Sequence, residues 1–348
     1  MEMAVTDVGT NGAEGGLAGR RVLVTGGTGF IGQYLVEELL REGALVRVLV
    51  RSMARIPAAW KDRVELCAGN LEERDSLIAS CGKVETVIHA GGFAHAWDDD
   101  SRGATGLHWR VNAEGTRHLL AAAAQTGVKR FVFLSSVKAM GEGGEQCIDE
   151  TWPAPPQTLY GRAKRAAELW VLDAGRTHGM HVVNLRLAMV YGPGNKGNLD
   201  RMIQAVKRGF FPPLPRIDNR RSMVHARDVA RAALIASEHP AANYQTYIVT
   251  DGNTYSSREI YELILRALGK RTPRWAVPMF IFSALAWVGN LMARVPGMQV
   301  GFDVETLDKL LGWACYSSEK IRRELDFRSS RSLADALPEI LRSSRIEG

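Results

Sequence analysis

Tyr160 and Lys164 stand four residues apart in the run Tyr-Gly-Arg-Ala-Lys, a spacing that puts both side chains on one face of a helix. A tyrosine hydroxyl ordinarily titrates near about 10, too high for acid–base work at neutral pH. An ammonium group one turn away favours the phenolate and makes the pair a usable proton donor and acceptor. Solvated helices carry such pairs by chance, so the upstream sequence has to decide. Phe131-Val-Phe-Leu-Ser135-Ser136 reads as a buried strand ending in two hydroxyls. Ser136 would hold a substrate oxygen against Tyr160, the geometry that proton transfer needs.

A second chemical feature lies near the N-terminus, in Thr25-Gly26-Gly27-Thr28-Gly29-Phe30-Ile31-Gly32. It follows a strand-like run and opens a helical one, the context that gives a glycine triplet meaning. Gly26 allows a tight turn, Gly29 lets the backbone approach a pyrophosphate, and Gly32 lets helix and strand pack closely. The helix N-terminus would then offer free N–H groups to that anion. About 20 residues further on, a carboxylate would bind the adenosine ribose and favour NAD. The chain instead has Arg51, with Arg55 close behind. A guanidinium fork there suits a 2′-phosphate, so NADP is favoured over NAD. The competing view of Arg51 is a solvent-exposed residue at a strand end. Arg220 and Arg221 form another cationic pair, which fits a diphosphate or a solvated loop equally well.

These groups need a scaffold, and the hydrophobic rhythm describes one. Strands are expected at Arg21–Thr25, Leu45–Val50, Val64–Cys67, Thr86–His89, Arg130–Leu134 and His181–Leu187. Helical patterns run over Ile31–Glu42, Trp109–Gln125 and Tyr160 to about Ala174. Near-continuous apolar strands alternating with helices predict an α/β fold, a Rossmann-like doubly wound parallel sheet. After about Tyr191 glycine and proline increase, with one further strand at Tyr244–Val249 and helices at Arg227–Ser237, Ser257–Leu268 and Ser332–Leu341. The expected organisation is a flexible tail over 1–19, a dinucleotide-binding domain over 20–190, and a smaller, mostly helical substrate-binding part over 191–348 that interleaves with the sheet.

Together, the glycine motif, Ser136 and Tyr160-x-x-x-Lys164 resemble the extended short-chain dehydrogenase/reductase family, of the NAD-dependent epimerase/dehydratase type, from about Arg20 to Leu341. The resemblance implies Ser136, Tyr160 and Lys164 as catalytic residues. It implies cofactor contacts from Gly26, Thr28, Gly29, Phe30, Ile31, Gly32, Arg51, Asn70, Leu71, Ala90, Asn112, Tyr160, Lys164 and Val190. Substrate contacts would come from Ser136, Lys138, Tyr160 and Arg221. The segments 131–142, 149–168 and 214–232 are similar to bacterial nucleotide-sugar 4-epimerases and 4-ketoreductases of polysaccharide biosynthesis. In that branch Arg221 would meet the nucleotide diphosphate. A homodimer through Trp109–Gln125 and Tyr160–Ala174 is implied in the same way. The chain departs from the family at Asn70, where an aspartate is common, at Ala163, where serine is usual, and at Gly91-Gly92 after the fourth strand.

Composition sets the outer bounds. The chain has 348 residues, 46% hydrophobic and 24% charged, with a net charge of +6 and a mean hydropathy of -0.12. That excludes general disorder. The cations form no run with interleaved aromatics, so nucleic acid is not an expected partner. Cys67, Cys81, Cys147 and Cys315 form no C-x-x-C pair and read as unpaired thiols of a reducing, cytoplasmic setting. His178 and His181 lack acidic or thiol neighbours, and no metal site is expected. Met1 to Gly19 has no basic-then-apolar targeting pattern. The apolar run Trp275–Met292 is interrupted by Pro278, Ser283, Gly289 and Asn290. It fits a buried or substrate-covering helix, or one lying in a membrane interface, which would make the chain membrane-associated. Its aromatics also support an alternative function, oxidoreduction of a lipophilic alcohol or ketone such as a 3-hydroxysteroid. A catalytically idle dinucleotide sensor is the third possibility, and the complete Ser136–Tyr160–Lys164 set argues against it.

Overall fold

A computed structural model describes residues 16–53, 56–93, 104–292 and 303–346. Most of the expected tail, and Arg55, lie outside the described residues. Ten strands follow in chain order: β1 (Arg21–Thr25), β2 (Leu45–Val50), β3 (Glu65–Ala68), β4 (Thr86–His89), β5 (Arg130–Ser136), β6 (His181–Leu187), β7 (Met189–Tyr191), β8 (Arg221–His225), β9 (Gln245–Val249) and β10 (Thr254–Tyr255). Seven of them form one parallel sheet in the order β3–β2–β1–β4–β5–β6–β9. The order reverses direction between β1 and β4, which opens a crevice at the C-terminal ends of these strands.

The flanking helices are α1 (Phe30–Arg41), α2 (Arg74–Cys81), α3 (Ala104–His108), α4 (Gly115–Gln125), α5 (Leu159–His178), α6 (Asn198–Arg208), α7 (Ala226–Glu238), α8 (Ser257–Ala267), α9 (Met279–Met292), α10 (Val304–Leu311), α11 (Glu319–Leu325) and α12 (Leu333–Ile346). Strand side chains alternate between faces, and β1 shows the result. Val22 and Val24 join Leu35, Val36 and Val229 under α1 and α7. Leu23 joins Leu119, Phe131, Phe133 and Val171 under α2, α4 and α5. Leu17 already packs into the first of these cores. Both faces are covered, as the continuous apolar strands require.

After β7 the chain builds a small sheet of β10–β8–β7 and a separate core around Tyr191, Ile203, Leu214, Ile264 and Leu337. β9 then returns to the main sheet beside β6, so the C-terminal part is threaded through the nucleotide-binding part. The sequence pattern carries only β9 of this region. β7 and β10, of three and two residues, are too short to show a period of two, and β8, Arg-Ser-Met-Val-His, carries no apolar run of its own.

Two expectations need correction. Cys147 and Cys315 form a disulfide across 168 residues of sequence, leaving Cys67 and Cys81 free. Folding brings the pair together because Ile148 and Tyr316 form a parallel bridge, a tertiary contact without a spacing signature. Trp275–Met292 is not a buried helix either. α9 hides only Phe282, Ala286 and Gly289.

The turn where β1 meets α1 is tight. A Cβ on Gly32 would sit 2.1 Å from the Gly26 carbonyl, whereas one on Gly29 would meet the same oxygen at 3.1 Å. Gly32→Ala should therefore destabilise the protein by about 1–3 kcal/mol, and Gly29→Ala by less. Thermal unfolding of the two variants checks the ranking.

Candidate active site

The crevice holds a cleft of about 210 Å³ lined by Ile31, Ala90, Asn112, Ser136, Tyr160, Lys164 and Val190 among others. Its nucleotide end is built by backbone. Gly26 has φ +69°, and a Cβ there would come within 2.7 Å of the Gly91 backbone. Only glycine lets the β1 and β4 loops approach this closely. α1 then starts at Gly29 with no side-chain cap and no acid in its first turn. Its leading N–H groups and positive dipole end suit a pyrophosphate, so these residues fit a dinucleotide.

The reacting end is set by β5 and α5. Thr158 caps α5 by accepting from the Gly161 amide at 3.0 Å, which places Tyr160 in the first turn. Tyr160 is hydrogen-bonded to Ser136, and burial holds its hydroxyl above the ordinary value despite that bond. Lys164 is buried. Its Nζ donates to the Leu134 carbonyl at 2.9 Å and lies 4.5 Å from the centre of the Phe133 ring. Burial pushes its pKa down to about 8, partly offset by the Glu168 carboxylate. Near neutrality, then, Lys164 carries a proton and Tyr160 keeps its own.

Asn112 lies on a π-helical turn, Trp109–Glu114, that interrupts the expected helix over Trp109–Gln125. Such turns often mark functional positions. Its side chain accepts from the Phe93 amide and donates to the Phe93 carbonyl, both at 2.8 Å. It thus pins the loop after β4. A Cβ on Gly92 would lie 2.8 Å from Asn112 Oδ1 and 3.6 Å from Lys164 Nζ, so the unusual glycine at 92 keeps this corner open.

Several supporting residues escaped the sequence reading. Glu168 is fully buried. It accepts from Ser135 Oγ at 2.6 Å, from Arg186 Nε and Nη2 at 2.9 and 2.8 Å, and from Arg165 at 3.0 Å. The spacing of Tyr160, Lys164 and Glu168 along one helix face was a usable signal. His108 packs edge-on against Tyr160 with ring centroids 5.8 Å apart. His89 links Thr25 at 2.6 Å to Thr116 at 3.0 Å. Burial pushes its pKa down to about 3, so it stays neutral there.

The remaining expected residues lie around the cleft. Thr28 and Phe30 belong to the glycine loop and the start of α1, and Phe30 packs against Tyr34. Arg51 is exposed just beyond β2. Asn70 holds a turn with Ser76, and the Leu71 carbonyl meets His118 Nδ1 at 3.3 Å. Lys138 is paired with Glu142 at 2.8 Å. Arg221 donates to the Gly312 carbonyl at 2.7 Å and is not among the residues lining the cleft. His181 bonds the Ala236 carbonyl, and the described residues contain no cluster of three potential metal ligands.

Residues 22–250 match the model of the NAD dependent epimerase/dehydratase family. The chain belongs to that family and is an enzyme of the extended short-chain dehydrogenase/reductase type. It is 31% identical over 301 residues to UDP-glucose 4-epimerase of Vibrio cholerae, covering 84% of this chain and 90% of that protein. It is 29% identical over 343 residues to 3 beta-hydroxysteroid dehydrogenase/Delta 5-->4-isomerase of Mycobacterium tuberculosis (strain ATCC 25618 / H37Rv), covering 92% and 89%. In fold it is similar to the solved structure of MoeE5 in complex with UDP-glucose and NAD, with a TM-score of 0.73 and 23% identity over 94% of this chain and 99% of that one.

The buried carboxylate makes two checkable demands. Glu168→Ala strands the Arg186 charge and should cost about 3–5 kcal/mol, read by thermal unfolding. In the milder Glu168→Gln variant, Lys164 loses the charge that holds its proton. The fall in reductive kcat/KM expected as pH rises through about 8 should therefore move to lower pH.

Proposed function

We propose that this enzyme transfers hydride at a secondary alcohol or ketone carbon, C4 of a nucleotide-diphosphate sugar, as a 4-epimerase or 4-ketoreductase of polysaccharide biosynthesis. The observation that carries the chemistry is the Ser136–Tyr160 hydrogen bond beside the buried Lys164. The sugar assignment rests on similarity to the Vibrio cholerae epimerase. When bound, NAD or NADP supplies the hydride acceptor or donor. Ser136 holds the substrate oxygen. Tyr160 returns its proton to the new alkoxide in reduction and, as phenolate, removes the hydroxyl proton in oxidation. Lys164 binds the nicotinamide ribose and stabilises the phenolate.

Arg51 stands just beyond β2, where a guanidinium suits a 2′-phosphate, which supports NADP and with it a reductase that exchanges cofactor. A homodimer through α4 and α5 would cover Leu169, which is exposed on α5. A second reading, oxidoreduction of a lipophilic alcohol or ketone, is favoured by the apolar α9 and by the Mycobacterium tuberculosis relative.

Tyr160→Phe should abolish turnover while preserving cofactor binding. Unchanged turnover would refute the acid–base role. Assays with UDP-sugars and with 3-hydroxysteroids separate the two substrate readings. Arg51→Asp should shift the cofactor preference from NADP towards NAD, measured as the ratio of the two dissociation constants.

A further inference from the structure

α9 is hydrophobic on nearly all sides, and a helix of that kind is ordinarily buried in a core or in lipid. Here only Phe282, Ala286 and Gly289 face the protein. Phe280 is 72% exposed, Trp287 65%, and Leu285 and Leu291 about half. At 14 residues and about 1.5 Å per residue, the helix is too short for a hydrocarbon core of about 30 Å. No helix among the described residues is long and apolar enough to cross a membrane.

The chain leading into α9 is basic. From Leu263 to Met292 the sequence holds Arg266, Lys270, Arg271 and Arg274 and no carboxylate, whereas α10 beyond it carries Glu305 and Asp308. Four hydrogen bonds stitch the entry to α9 against the end of α6 and the loop after it. Lys270 Nζ donates to the carbonyls of Val206 and Lys207, the Val277 amide donates to the Pro213 carbonyl, and Arg216 donates to the Arg274 carbonyl. That loop carries Phe210, 85% exposed, and Trp275 is 62% exposed at the start of the apolar run. At the other end of α9, where the Val304 amide meets Asn290, Glu305 is paired with Lys309.

We infer that α9, together with Phe210 and Trp275, is a docking surface for an anionic lipid bilayer, on which the helix lies in the interface plane without spanning. Exposed apolar and aromatic side chains would enter the acyl boundary, and the adjoining cations would meet anionic headgroups. A second copy of the chain is the poorer occupant. A two-fold contact through this face would bring Lys270, Arg271 and Arg274 of both copies together. The inference is independent of which substrate the cleft accepts.

Flotation with phosphatidylcholine vesicles, with and without phosphatidylserine, tests it. The full chain should float with the phosphatidylserine vesicles, float much less at high salt, and remain behind with phosphatidylcholine alone. Removing one cation from an anionic surface weakens binding by about fivefold, so Lys270→Glu with Arg271→Glu should reduce it more than about tenfold. Phe280→Ser with Trp287→Ser, both on the outer face, should abolish flotation without changing the unfolding temperature or cofactor binding. Flotation that neither pair of substitutions reduces would overturn the proposal. So would a chain that does not float with phosphatidylserine vesicles, whether it stays monomeric or forms a dimer that Trp287→Ser dissolves.

Discussion

The Glu168–Arg186 ion pair is the constraint on which the reacting end depends. Both charges are withdrawn from water, and a buried pair of this kind contributes little net stability compared with apolar packing. Its value here is positional. Arg186 is on β6, Ser135 is on β5, and Glu168 is on α5, so one carboxylate fixes three elements relative to one another. Ser136 follows Ser135, and Tyr160 and Lys164 lie two turns and one turn before Glu168. The separation of the Ser136 and Tyr160 hydroxyls is therefore set by a contact that touches neither. It also leaves a negative charge below Lys164, which moderates the desolvation of that ammonium.

The nucleotide end is organised by close backbone approach instead. The β1 and β4 loops meet at Gly26 and Gly91, and the Thr25–His89–Thr116 chain of hydrogen bonds runs directly beneath them. A neutral, fully buried imidazole joining two hydroxyls keeps this floor free of charge. An uncharged floor leaves Lys164 as a buried cation beside Tyr160 in the cleft. Asn112 then holds the β4 loop by both hydrogen-bonding edges of the Phe93 peptide, extending the same rigidity to the edge of the cleft.

Much of this architecture was legible because it rests on local periodicity. The strands of the main sheet are runs of Val, Ile, Leu and Phe, and the glycine motif sits at a strand–helix junction. Tyr160 and Lys164 share a helix face by spacing alone. What escaped the sequence is what only tertiary structure creates. The Cys147–Cys315 bond joins segments that meet through the Ile148–Tyr316 bridge. β7, β8 and β10 exist because they pair with one another; β7 and β10 are too short to carry a pattern, and β8 has no apolar run of its own. The π-helical turn at Asn112 cannot be distinguished by composition from the α-helix it interrupts. For α9 the apolar composition suggested burial, yet the fold leaves most of its surface outside.

The cleft and the C-terminal part also come from different stretches of chain, and this explains why the chemistry is easier to read than the substrate. The residues that line the cleft lie before Tyr191, mostly on strands and helices whose positions the main sheet dictates. The C-terminal part follows, and its own core around Tyr191, Ile203 and Leu337 is a separate packing problem. The proposed hydride transfer at a secondary carbon would make the same demands of Ser136, Tyr160 and Lys164 whether that carbon belonged to a sugar or to a sterol. Discrimination between them is a difference in binding free energy, supplied by contacts remote from the reacting atoms. Lys138 is occupied by Glu142, and Arg221 is engaged by the Gly312 carbonyl. A diphosphate would have to compete with those partners for either cation. An apolar substrate makes no such demand, so the balance turns on what these two residues gain by exchanging partners.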